Sequence, residues 1–128
     1  MKILLCIGFG GFFGAISRYL VAGLAHRLYQ AGVFPVGTLL VNVAGCFVIG
    51  GIMSLFDSRA AFDPALRAVL VVGFLGAFTT FSSFGYETIE LMRDGQMMLA
   101  GLNVLANFIL GIGAVFIGWM MVRMMTAS

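Results

Sequence analysis

Four apolar stretches, each long enough to cross a bilayer, take up nearly all of this 128-residue chain. About 20 predominantly apolar residues span the hydrocarbon core as a helix. The stretches cover residues 3–25, 36–56, 65–92 and 98–122. In lipid every backbone polar group must find its partner inside the protein, so such stretches are expected to be helices. Composition agrees: 62% of the residues are hydrophobic and 9% charged, against about 25% charged in a soluble domain. The expected fold class is all-α and integral to the membrane, with one domain over residues 1–128. The breaks are marked chemically. Gly32 and Pro35 precede the second stretch, Asp63-Pro64 opens the third, and Arg93-Asp94-Gly95 turns into the fourth. The connections leave no room for a further domain. Met1-Lys2 followed by residues 3–16 also resembles a secretory signal. Three more such stretches follow, which favours a first membrane span instead.

Charge excludes some functions and leaves others open. A net charge of +2 is too small to imply nucleic-acid binding. With four spans, one side of the membrane carries Lys2, Arg59, Arg67 and Arg123, and the other Arg18, Arg27 and Arg93. Lysine and arginine bias sets orientation, and a bias this weak permits insertion in both senses. Four helices are also too few to enclose a wide pore, so self-association is the simplest route to a larger body. Cys6 and Cys46 sit in apolar runs and read as packing residues. His26 is the only histidine and lies near a helix end, so neither a His/Cys metal cluster nor a Ser–His–Asp arrangement is expected. No P-loop pattern appears.

Polar residues inside the spans carry the remaining information. In the first span Gly10, Gly14 and Arg18 share a face. Gly10-x-x-x-Gly14 is a close-packing motif. Arg18 is either a snorkelling end residue or an anion attractor at a water-filled mouth. In the second span Asn42 lies about six residues, or roughly 9 Å, below the helix start. Its amide either bonds a neighbouring helix or donates to a permeating anion. In the fourth span Asn103, Asn107, Gly111, Ala114 and Gly118 form one small, polar face, which suits a packing seam or a pore wall. Residues 73–87 are the densest case. Thr79, Thr80, Ser82 and Ser83 lie there among three glycines and four phenylalanines. On an unbroken helix Phe74, Phe78, Phe81 and Phe84 would form one stripe, with Gly76, Thr80, Ser83 and Glu87 beside it. Clustered Ser, Thr and Gly weaken a regular backbone ladder and offer it other partners. Glu87 is the only carboxylate deep enough to couple protons.

Three motifs together resemble one family, the small fluoride channels known as Fluc or CrcB proteins. They are Gly10-Gly-Phe-Phe-Gly-Ala-Ile-Ser-Arg18-Tyr19, Gly37-Thr-Leu-Leu-Val-Asn42-Val-Ala-Gly45, and Gly73-Phe-Leu-Gly-Ala-Phe-Thr-Thr-Phe-Ser-Ser-Phe84. The fourth span, with Asn103-Val-Leu, agrees more loosely. The resemblance implies a passive fluoride-selective channel, not an enzyme. The channel would be an antiparallel, dual-topology homodimer in the bacterial inner membrane that exports fluoride to limit its toxicity. The third span would be broken. A structural Na⁺ would sit at the dimer centre on the backbone carbonyls of Gly76 and Thr79. Fluoride would meet Asn42, Phe81 and Phe84, then Thr80, Ser82, Ser83 and Asn107, with Arg18 and Glu87 in the vestibule.

The sequence departs from the family pattern in two places. Ser83 stands where threonine is usual. Gly111 and Val115 stand where some members carry hydroxyls, which leaves the fourth span's share of the path open. Two other readings fit the residues alone. One is a proton-coupled small-cation exporter relying on Glu87. The other is a non-transporting subunit whose polar stripes are helix seams.

Overall fold

The computed structural model describes residues 1–29, 32–58 and 63–126, and its regular structure is entirely helical. α1 (Lys2–Leu28) and α2 (Val36–Ser58) are continuous. The third span is built in pieces: α3 (Pro64–Arg67), a π-helical segment over Ala68–Leu75, α4 (Gly76–Phe78) and α5 (Phe81–Arg93). α6 (Met97–Thr126) is the fourth span. All four spans are long and apolar enough to cross a membrane, and the chain is a multi-pass membrane protein. Each expected span lies within a few residues of the observed one. Arg59, counted above in the charge comparison, falls outside the described residues.

Local chemistry sets the ends of the third span. The Asp63 side chain accepts from the Ala65 amide at 2.9 Å, and Pro64 occupies the first helical position, where its missing N–H costs nothing. At the far end Gly95 has φ +74°, a left-handed conformation that glycine adopts without strain. The Gln96 amide bonds Leu91 O at 2.8 Å and the Gly95 amide bonds Met92 O at 3.1 Å. This paired closure satisfies the last carbonyls of α5 and turns the chain into α6.

Alternate spans pack in parallel, and glycine makes the approach possible. Against α1, a Cβ on Gly10 would strike the Val69 carbonyl and one on Gly14 the Phe74 carbonyl. A Cβ on Gly73 would lie 2.6 Å from Ile7 O. Between α2 and α6, Gly50 faces the Val115 carbonyl and Gly118 the Phe47 carbonyl in the same way. In lipid no hydrophobic force drives helices together, so backbone-to-backbone packing of this kind supplies the attraction. The small, polar face expected on the fourth span is the packed one: Asn103, Gly111, Ala114 and Gly118 are all buried. Large apolar side chains such as Phe9, Leu20, Phe108 and Phe116 are exposed instead.

The π-helical segment has no counterpart in the sequence reading. It takes the place of an ordinary helix where Gly73 nests against α1, and it ends with the Gly76 amide reaching back to Val71 O. Such segments are rare and often adjoin functional sites.

The seams make a direct prediction. Gly118→Ala should lower stability by about 1–3 kcal/mol through overpacking. Gly113, which has nothing within 4 Å of a built Cβ, should accept alanine within about 0.5 kcal/mol. Thermal unfolding in detergent compares the two.

Candidate functional site at the helix break

Between α4 and α5 two consecutive residues leave the helix. Thr79 has φ −83° and ψ 157°, and Thr80 has φ −150° and ψ 113°. The break lies near the middle of a 30-residue span, where exposed backbone cannot be solvated. Asn42 on α2 resolves the problem. Its Oδ1 accepts from the Thr80 amide at 2.8 Å, and its Nδ2 donates to the Thr80 carbonyl at 3.2 Å. One side-chain amide thus replaces both helix bonds of one peptide residue. Gly45, one turn along α2, leaves room for the Thr79 methyl and lies against the Phe78 ring.

The residues at the break have separate roles. Thr79 Oγ1 bonds back to Leu75 O at 3.0 Å, as does its own amide. Thr80 caps α5, its Oγ1 accepting from the Ser83 amide at 3.2 Å. The same hydroxyl donates to Ser83 Oγ at 3.0 Å. A hydroxyl has one proton, so the 3.2 Å contact between Thr80 Oγ1 and Ser82 Oγ must run from Ser82 to Thr80. The Ser83 proton is left without an acceptor among the described residues. The carbonyls of Gly76, Ala77, Phe78 and Thr79 all lack their usual in-helix donors among the described residues, and two of those donors are accounted for. The donor four residues beyond Gly76 is the Thr80 amide, given to Asn42; the one beyond Thr79 is the Ser83 amide, given to Thr80 Oγ1.

The break corrects the single phenylalanine stripe expected of an unbroken helix. Phe74 and Phe78 stack with centroids 5.8 Å apart on one side of it. Phe81 and Phe84 form a second pair, 5.4 Å apart, on the other. Phe84 is buried and Phe81 is 79% exposed. The Gly76–Thr80–Ser83–Glu87 stripe is interrupted at the same point.

A cavity of about 460 Å³ opens beside the break, between α2, the third span and α6. Asn42, Gly76, Thr79, Thr80, Phe81, Phe84 and Asn107 line it, so seven of the sequence-selected residues meet there. Ser82 and Ser83 join through Thr80. Glu87 lies two turns along α5, its Oε1 accepting from Thr38 at 2.6 Å while its buried Oε2 has no partner among the described residues. Arg18 is half-buried on α1 and is not among the residues lining the cavity. The cavity also takes in Cys46 and Gly111, with Val115 further along α6. Gly111 and Val115 bring no hydroxyl to it.

Sequence reasoning did not select Thr38, Thr88 or Asn103 for the site. Asn103 was recognised only as part of a face, although it is fully buried and bonds Thr88 Oγ1 at 2.9 Å. Asn42 Nδ2 also reaches Asn107 Oδ1 at 3.0 Å. Both hydrogens of the Asn42 amide are therefore engaged within the protein.

The fold and this site define a small multi-pass membrane protein with a partnered backbone break beside a largely apolar cavity that carries a few amide and hydroxyl groups. Among the described residues no cluster of three or more His, Cys, Asp or Glu could hold a metal, so a cation would have to rest on carbonyl and hydroxyl oxygens.

The sequence comparisons place that architecture. Residues 5–119 match the family model described as "CrcB-like protein, Camphor Resistance (CrcB)", and the chain belongs to this family. It is 46% identical over 123 residues to a protein of Solibacter usitatus, covering 96% of this chain and 99% of that one. It is 44% identical over 115 residues to one from a Nitratiruptor species, covering 90% and 88%. A Vibrio campbellii relative is 43% identical over 119 residues, 93% of each chain. All three relatives bear the name fluoride-specific ion channel FluC.

The Thr80 cap carries its own prediction. Thr80→Val should lower stability by about 1 kcal/mol through loss of the cap. Thr80→Ser should keep it. Unfolding midpoints in detergent separate the two variants.

Proposed function

We propose that this chain is a passive fluoride channel and not an enzyme, working as an antiparallel, dual-topology homodimer in the bacterial inner membrane. The observation that carries the reading is the mid-span break and the amide and hydroxyl groups it brings to an otherwise apolar cavity, in a chain 43–46% identical to proteins named fluoride-specific ion channels. Fluoride is small and strongly hydrated, so its path must replace water's hydrogen bonds. The uncommitted Ser83 proton is one such donor, at the end of the Ser82–Thr80–Ser83 hydroxyl relay. Phe81 and Phe84 would offer positive ring edges to an anion. Asn42 and Asn107 line the same cavity, and Asn42 would donate to an anion only by exchanging one of its present bonds. Arg18 and Glu87 would serve the vestibule.

The carbonyls of Gly76 and Thr79, deprived of their in-helix donors, fit a hard cation. Two such pairs, one from each copy, would hold a structural Na⁺ at the dimer centre. When bound, that ion would raise the local potential for an anion. Gly76 is exposed on the single chain, as a contribution to a shared site requires.

Efflux from liposomes tests the reading. Fluoride should leave much faster than chloride or a small cation, and equally fast with or without a pH gradient. Flux driven only by a proton gradient would favour the Glu87-dependent exporter, and no flux at all a non-transporting subunit. Phe81→Ile and Phe84→Ile should each slow fluoride efflux about two- to tenfold, the rate equivalent of the ~0.5–1.5 kcal/mol that ring-edge contacts are worth. The dimer should persist on size-exclusion chromatography.

A further inference from the structure

The cavity, the break and the polar face of α6 are joined by one directed chain of hydrogen bonds, and its direction is set far from the break. The chain starts at Thr88, a buried residue on α5 whose Oγ1 donates to Phe84 O at 2.7 Å. With its only proton spent there, Thr88 Oγ1 can meet Asn103 only as an acceptor. Asn103 is fully buried, so no water can relieve a mismatch, and it must present its NH₂ to Thr88, as it does at 2.9 Å. Asn103 Oδ1 is thereby turned toward Asn107. Asn107 must then present its NH₂, whose hydrogens go to Asn103 Oδ1 and Asn103 O, each at 3.0 Å. That leaves Asn107 Oδ1 for Asn42, which presents Nδ2 at 3.0 Å. Only in this sense does Asn42 keep Oδ1 free for the Thr80 amide. With the order reversed, the Asn42 NH₂ would face the Thr80 N–H, donor against donor, and the break would lose its partner.

We propose that Thr88 and Asn103 are positioning residues: through Asn107 and Asn42 they fix which way the amide at the helix break faces. Neither lines the cavity, and neither was selected from the sequence as a site residue. The chain leaves α5 at Thr88, crosses α6 and α2, and returns to the third span at Thr80. It is a closed brace around the candidate path. A buried polar network of this kind is stable only when every member is satisfied.

The chain's composition makes the proposal testable without measuring transport. Asn42, Asn103 and Asn107 are its three asparagines, so labelling asparagine with ¹⁵N gives three side-chain amide signals, all from the brace. Glycine labelling in the same sample reports on α1 through Gly10, Gly14 and Gly23. Thr88→Val keeps the shape of the side chain and removes the acceptor. It should shift or broaden the Asn42 and Asn107 signals as well as that of Asn103, while the α1 glycines stay in place. Asn103→Leu should move the same two remaining signals. Thr88→Ser restores the hydroxyl and should restore all three. An unmoved Asn42 signal in Thr88→Val would overturn the proposal, as would Thr88→Ser behaving like Thr88→Val. Equal disturbance of the α1 glycines would mean general loosening and would overturn it too.

A second arm rests on the channel reading. Thr88→Val should slow fluoride efflux about tenfold and Thr88→Ser less than about twofold, in line with leaving a buried amide unpaired. If the unaltered protein passes no fluoride, the channel reading fails and the asparagine signals still judge the brace.

Discussion

Two hydrogen bonds between the Asn42 amide and the Thr80 peptide decide whether the third span can be broken at all. In water a helix break costs little, because solvent takes up the freed groups. Inside a bilayer each freed group must be met by protein. The side-chain amide is a neutral group that donates and accepts side by side, as a peptide does. Asn42 therefore mimics the helix neighbour that Thr80 has lost. The rest of the site depends on that substitution. The Thr80 hydroxyl is free to cap α5, the Gly76 and Thr79 carbonyls are released, and Phe81 and Phe84 are turned away from Phe74 and Phe78.

The glycine seams place Asn42 where it can act. Gly50 and Gly118 hold α2 and α6 at backbone distance, which brings Asn42 and Asn107 together. Gly10, Gly14 and Gly73 hold the first half of the third span against α1, so that half ends in register with α2. Gly45 then admits the Thr79 methyl beside the break. Each seam is a local steric fact, yet together they align one amide with one peptide.

Much of this was legible in the sequence. The spans could be read from apolar length alone, because lipid leaves the backbone no alternative to helix. The Gly10-x-x-x-Gly14 face and the small face of α6 were readable from helical spacing, because packing in lipid selects small residues. The break was implied by the family motif around Thr79 and Thr80. Its effect on the phenylalanines was not, because spacing arithmetic assumes the helix it is applied to. Thr38, Thr88 and Asn103 escaped for another reason. Each is an ordinary span residue until a partner from a different helix is placed opposite it, and pairing between helices leaves no periodic trace. The π-helical segment was equally silent, since its eight residues are apolar and read as plain helix.

The backbone contact across the seams has a thermal consequence. A soluble core is held by the expulsion of water, which gives unfolding a large heat capacity and lets cohesion fade on cooling. When Gly118 separates from the Phe47 carbonyl inside a bilayer, lipid takes the place of protein and no apolar surface becomes wet. The heat-capacity change should be small and the cohesion between spans nearly flat with temperature. Cold should therefore stiffen the surrounding lipid well before it loosens this protein.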